Sequence, residues 1–433
     1  MPGESHSLHK NSLFALAFSL LLSVAIRAED WPQWRGPNRD GVWSEIGILE
    51  SFPSGGLKIR WRAPVGLGWS SPVVATDRVY LIDSELMAPK VKERVHCFDA
   101  ATGKALWTFS YDVTYPDWAF TGAGMGPTAT PIVRDGKLYT LGDEGDLICF
   151  DARIGEPLWK KHLVKEYRAE EFCFNASPLI EGNLLVLCIG SYGGGSPSCV
   201  LALDKNSGKE VWKSATEGLT NSSPIVITAS GKRQLITWTQ GSVTSLDVTT
   251  GKTFWREPMR TQAMDAVSTP VFHNNLLLIG GLMMKLDTGK PAASVLWPET
   301  KAVSRRVLSN TSTALLQNGY LFSAKLSGQL VCLEASTGKQ VWATDKVTGL
   351  KQGASIHLTP NGNGVLLYTD KGELIRAHLD AKGYKEISRT RLLEPTCPYA
   401  GRKVAWPPPA YANRCVFARS DKEIICASLA LKP

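Results

Sequence analysis

The 433-residue chain carries 48 Lys and Arg against 40 Asp and Glu, a net charge of +8 that is only mildly basic for this length. With no Lys/Arg run of five or more and no zinc-finger or helix-turn-helix spacing, the sequence argues against nucleic-acid binding. Nine cysteines, an odd number, leave at least one thiol unpaired whatever the pairing of the others.

In chain order, residues 1–28 bring His9 and Lys10, an apolar run from Leu13 to Ile26 and a small-x-small site at Ala25-Ile26-Arg27-Ala28. This pattern predicts a cleaved secretory signal. The run of about 14 apolar residues is short of the roughly 20 that span a bilayer, so no membrane span is expected after cleavage. The first cysteine is Cys97, so no lipid-bearing Cys follows the run. The expected organisation is a signal at 1–28, an extended lead-in at 29–58 and one repeat domain at 59–433, as a monomer outside the cytoplasm, periplasmic or secreted.

From residue 96 onward one phrase recurs: an apolar stretch, an acidic residue, a Gly four positions later and a Trp eight positions later. The copies are Asp99/Gly103/Trp107, Asp151/Gly155/Trp159, Asp204/Gly208/Trp212, Asp247/Gly251/Trp255 and Glu334/Gly338/Trp342. A recurrence every 40 to 50 residues or so means stacked copies of one supersecondary unit. Each phrase sits in a longer cycle with four strand-like segments, the first opening at Ser71-Pro72, Thr130-Pro131, Ser177-Pro178, Ser223-Pro224 and Thr269-Pro270. Weaker openings follow at Thr313-Ala314, His357-Leu358 and Pro409-Ala410.

Eight units of four short antiparallel strands predict an all-β, eight-bladed β-propeller. The eighth unit stops after three strands, whereas Ile59-Arg60-Trp61-Arg62 looks like an outer strand with no unit before it. Pairing the two would close the ring and remove its exposed edges. In this reading the acidic residues accept backbone N–H bonds in a turn, the glycines supply positive φ and the Trp rings fill the wedges between blades. Units five and seven depart from the pattern, with Asp287 too close to Gly289, and with Ile387-Ser388 where a Trp belongs. Cys97, Cys149, Cys332 and Cys426 share one repeat position and are expected as buried free thiols. Pairing of Cys397 with Cys415, or of two among Cys173, Cys188 and Cys199, is left open.

The repeat resembles the tryptophan-docking repeat of pyrroloquinoline quinone (PQQ)-like propellers over residues 59–431. The lead-in, Asp30-Trp31-Pro32-Gln33-Trp34-Arg35-Gly36-Pro37 with Asp40-Gly41, is similar to that of secreted members of this class. The resemblance implies either a quinoprotein dehydrogenase holding PQQ and Ca2+, or a scaffold of the BamB type from outer-membrane β-barrel assembly. Such dehydrogenases are expected to place adjacent cysteines against the quinone, and no Cys-Cys pair, Cys-x-x-Cys-His site or assignable Ca2+ ligand set occurs here. BamB-type proteins are lipid-anchored, which the expected signal does not match. The preferred reading is a non-catalytic binding or scaffolding module without cofactor; the alternative is a PQQ/Ca2+ or other small-molecule binder with oxidoreductase activity.

Function is expected where loops enter the central channel, after Trp107 (110–129), after Trp159 (160–176) and over 389–408. Their mouths present Trp69, Met125, Asn175, Asn221, Asp265, Asn310, His357 and Trp406, with Arg305, Arg306, Arg402 and Lys403 nearby. This set could hold a polar or anionic small molecule, or serve a protein partner. Asp265 is the one carboxylate in it, and His357 stands in a Ser/Thr position of the repeat as a hydrogen-bonding substitute. The Gly-rich stretch 121–126 lacks the Lys-Ser/Thr of a phosphate loop, and Gly193-Gly194-Gly195 provides slack.

Overall fold

The computed structural model describes residues 29–121, 126–193, 197–261, 266–298, 308, 311–351, 354–399 and 401–431. Eight four-stranded antiparallel sheets form an eight-bladed propeller, with blades at 73–113, 132–162, 179–216, 225–258, 271–297, 315–344, 356–391 and 410–428. The eighth blade takes its outermost strand from Ile59–Pro64, which pairs with Glu423–Ser428. The ring therefore closes as the orphan Trp strand implied.

What holds neighbouring blades together is the Trp of one on the turn of the next. The indole N–H groups of Trp61, Trp107, Trp159, Trp212, Trp297 and Trp342 donate to main-chain carbonyls of the following blade's turn at 2.8–3.2 Å. Beneath five of these rings lies a glycine of that turn: Gly103, Gly155, Gly208, Gly251 and Gly338. Gly103 has φ +72°, and a Cβ there would stand 2.5 Å from the Trp61 ring, so the position demands glycine twice over. The acidic residue organises the same turn. Asp99 Oδ1 accepts from Ala101 N, Thr102 N and Thr102 Oγ1, and Asp151, Asp204 and Asp247 accept from the same main-chain positions. Glu334 instead accepts from the Thr337 hydroxyl.

Each of these Trp residues lies opposite a residue of the third strand that is followed by a β-bulge, a small one in every case but Trp297, which faces Met283. Cys97, Cys149, Cys332 and Cys426 pair with Trp107, Trp159, Trp342 and Trp61, which explains their shared repeat position. All four are buried, and all nine cysteines are free. The two irregular units depart for local reasons. Asp287 caps a tighter turn through Gly289 N and Lys290 N, and Trp255 of the preceding blade donates to Gln234 Oε1 in its own blade. In blade seven Ser388 occupies the Trp register opposite Arg376. Its hydroxyl accepts from Phe52 N of the lead-in, whose buried Phe52 and Leu57 join the core there.

The long connections are shorter than the sequence indicates, because the outer strands run on to Val113, His162 and Arg391. Helical turns at Trp118–Thr121 and Leu163–Tyr167, and a hairpin of Cys397–Tyr399 with Arg402–Val404, fill the rest. Of the two glycine-rich stretches, residues 122–125 and 194–196 lie outside the described residues.

Replacing Trp61 by Ala is expected to destabilise the protein by about 3–5 kcal/mol in urea unfolding, because the ring is buried and closes the propeller. Trp255→Ala should cost clearly less, since that indole is half-buried and makes no polar bond to the next blade.

Candidate functional site

Around the channel, the residues opening the inner strands of blades one, two, three and five reach the next blade. Ser71 N donates to Thr130 Oγ1 (3.2 Å), Thr130 N to Ser177 Oγ (3.0 Å), Ser177 N to Ser223 Oγ (2.9 Å) and Thr269 N to Thr313 Oγ1 (3.1 Å). The Ser/Thr openings thus supply hydroxyl links between blades one to four and between five and six, the inner counterpart of the outer Trp docking.

The lead-in meets these strand openings. Trp31 bridges to Val74 in blade one, Pro32 O accepts from Val133 N in blade two, and Trp34 Nε1 donates to Thr269 Oγ1 in blade five at 2.8 Å. Arg39 donates to Ser177 O and Pro178 O in blade three, and Asn361 of blade seven donates to the carbonyls of Trp43 and Glu45. Residues 31–43 therefore form a plug tied to blades on all sides. Gly36 and Gly41, both at positive φ, make it compact: the Trp31 ring covers the first, and the Arg35 guanidinium covers the second. Arg35 donates to the carbonyls of Arg39 (3.3 Å) and Asp40 (2.6 Å). Burial pushes Arg35 down to about 10 and Arg39 to about 9, the latter helped by Arg35 itself.

The structure brings together some of the expected mouth residues. Trp69 and Trp406 stack on each other at 5.7 Å, with Tyr399 edge-on to Trp406, so the two expected aromatics occupy one another's facing surfaces. His357 Nε2 donates to Trp406 O at 3.1 Å, as a hydrogen-bonding substitute would. Burial, with the Arg35 charge, pushes His357 down to about 4. Asn175 donates to Asn221 Oδ1 (3.0 Å) and both meet the Tyr192 hydroxyl. Arg402 pairs with Asp370, whose other oxygen accepts from Thr348 Oγ1 at 2.7 Å. Asp265, Arg306 and Asn310, with Met125 and Arg305, lie outside the described residues.

Asp370, Tyr192 and the lead-in arginines escaped the sequence reading. Asp370, a carboxylate outside the expected set, sits in the turn between the second and third strands of blade seven. A second such turn carries Asp143, buried with Glu93 in blades one and two. Glu93 Oε1 accepts from Tyr115 OH (2.8 Å) and Asp143 N (2.9 Å), and burial raises both carboxyls, Asp143 strongly. The Asp-Gly spacing of these turns was the available signal.

The described residues do not fit PQQ with Ca2+. The plug fills the channel, the void beside it measures ≈ 40 Å³, and pockets for drug-sized ligands run to roughly 300 Å³ or more. Among the described residues no group of three His, Cys, Asp or Glu is arranged to hold a metal ion.

Residues 91–297 and 284–386 match the family model described as "Outer membrane protein assembly factor BamB". The chain belongs to this PQQ-like propeller family. The BamB of Shewanella oneidensis is 23% identical over 271 residues, covering 59% of this chain and 66% of that protein. The matched part spans about half to two thirds of the length of such curated BamB relatives. Among solved structures, BamB from Moraxella catarrhalis superposes with a TM-score of 0.59 at 17% identity, covering 86% of this chain and 99% of that one. Quinohemoprotein alcohol dehydrogenase from Comamonas testosteroni gives 0.66 at 13% identity, covering 93% and 81%. Both likenesses establish the fold alone. No helix among the described residues is long and apolar enough to cross a membrane.

His357 supplies a pH test. Its folded pKa lies below the ordinary 6.5, so between pH 6.5 and about 4 the unfolded chain binds more protons and stability falls as pH drops through that window. His357→Gln keeps an N–H for Trp406 O and should remove about 2 kcal/mol of this acid loss, read from urea unfolding at pH 7 and pH 4.5.

Proposed function

We propose that this chain is an extracytoplasmic, non-catalytic propeller that works as a scaffold for a protein partner, displayed through its loop face, in outer-membrane protein assembly. The observation that carries this reading is the filling of the central channel by the chain's own residues 31–43, which leaves the loops and the rim as working surface. Membership of the BamB-type family supports it. The self-stacked Trp69–Trp406 pair and the internally satisfied Asn175–Tyr192–Asn221 group support a rigid face rather than a reactive pocket.

The test has two arms. In a strain lacking this chain, outer-membrane protein content should fall and be restored by the wild-type chain; unchanged content would remove the assembly role. In the second arm, PQQ with Ca2+ should leave the unfolding midpoint of the purified protein unmoved and produce no dye-linked alcohol or sugar oxidation. A rise that needs both additives would mean native-state binding and would overturn the non-catalytic reading.

A further inference from the structure

The plug brings two guanidinium groups into the channel, and neither hydrogen-bonds a side-chain carboxylate. Arg35 is held by the carbonyls of Arg39 and Asp40, and Arg39 by Gln33 Oε1 and the carbonyls of Ser177 and Pro178. Arg39 Nε is buried without a partner. Carbonyl oxygens orient a guanidinium but carry no formal charge; Asp40 acts on Arg35 through its charge without a side-chain hydrogen bond, so two guanidinium groups facing one carboxylate leave a net positive charge that burial makes costly.

Beside Arg35 lies the void of ≈ 40 Å³, whose wall includes Ser71, Thr313 and His357. A water needs roughly 10–15 Å³ on this measure, so the space suits a cluster of a few oxygen atoms and is too small for a ring system. Ser71 is 4% exposed and its hydroxyl has no hydrogen-bond partner, although its N–H is engaged by Thr130. A buried orphan hydroxyl beside a cation is a donor waiting for an acceptor. Thr313 Oγ1 accepts from Thr269 N, which leaves its own O–H free to point elsewhere.

We propose that this void is a binding site for a compact oxyanion, with the Arg35 guanidinium supplying the charge and the Ser71 hydroxyl a direct hydrogen bond. The anion neutralises the plug's excess charge and fastens residues 31–43 to the inner strands of blades one and six. Burial lowers both arginine pKa values, and at Arg35 the Asp40 carboxylate offsets this only in part. The bound group belongs to the phosphate, sulfate or carboxylate class, and it is independent of the partner in the scaffold reading.

The experiment is thermal unfolding and calorimetric titration of the purified full chain with inorganic phosphate, sulfate and acetate, at an ionic strength held constant with chloride. A saturable rise of the midpoint with phosphate or sulfate identifies a tetrahedral anion, and a rise with acetate alone identifies a carboxylate; each supports the site. Arg35→Gln should weaken binding by at least about tenfold, as loss of a charged hydrogen bond does. Ser71→Ala, a smaller change that leaves the plug's contacts in place, should weaken it several-fold and carries the test should Arg35→Gln not fold. No saturable response to any of the three anions, or a response that both variants retain in full, would overturn the proposal.

Discussion

The structure depends on one contact, an indole laid on a glycine of the next blade's turn. A four-stranded blade leaves a large apolar face on each side, and the radial arrangement leaves a wedge between faces that narrows toward the axis. Trp is the side chain large and flat enough to close the wide end, and its N–H ties the ring to a carbonyl that would otherwise be left beneath it. That geometry forces glycine under the ring, because a Cβ at Gly103 or Gly155 would stand 2.5 Å from it. The acidic residue then rigidifies the turn that presents the glycine. Trp, Gly and Asp are three parts of one device, which is why they recur together.

At the narrow end the same problem is solved with hydroxyls, each Ser or Thr accepting the main-chain N–H of the blade before it. Where the outer device fails, the chain supplies a substitute. Blade seven has Ser388 in place of Trp, and the lead-in brings Phe52 and Leu57 to that junction. The lead-in thus serves twice, as a cover over an incomplete blade and as a plug in the channel. A propeller whose axis is occupied by its own chain keeps the family's architecture around a channel lined by residues 31–43.

How much of this was legible in the sequence follows from the range of the interactions. The Asp-x-x-x-Gly-x-x-x-Trp phrase is local, so its spacing specified the turn; the eight strand openings from Ser71-Pro72 to Pro409-Ala410 gave the count of blades, and the orphan strand at Trp61 beside an incomplete eighth unit gave the closure. His357 was legible as a hydrogen-bonding substitute because its repeat position defined what it replaced. The plug was not, because Arg39 finds its carbonyl 139 residues away, Trp34 its hydroxyl 235 away and Trp43 its amide 318 away. No periodicity encodes such contacts; the lead-in was visible as a motif without a place. Asp370 and Asp143 were missed for a different reason: they lie in turns between second and third strands, which look like ordinary hairpins until the ring brings Asp370 to Arg402 and Asp143 to Glu93 of the neighbouring blade.

Hydrogen exchange over residues 31–43 tests the account at its centre. If the lead-in is seated in the channel, the amides of Trp31, Gly41 and Trp43, which donate to Val74, Arg35 and Pro360, should exchange as slowly as those of the closing strand at Ile59–Pro64. Exchange at the rate of a free peptide would mean an open channel, and would contradict both the plug and the reading of function built on it.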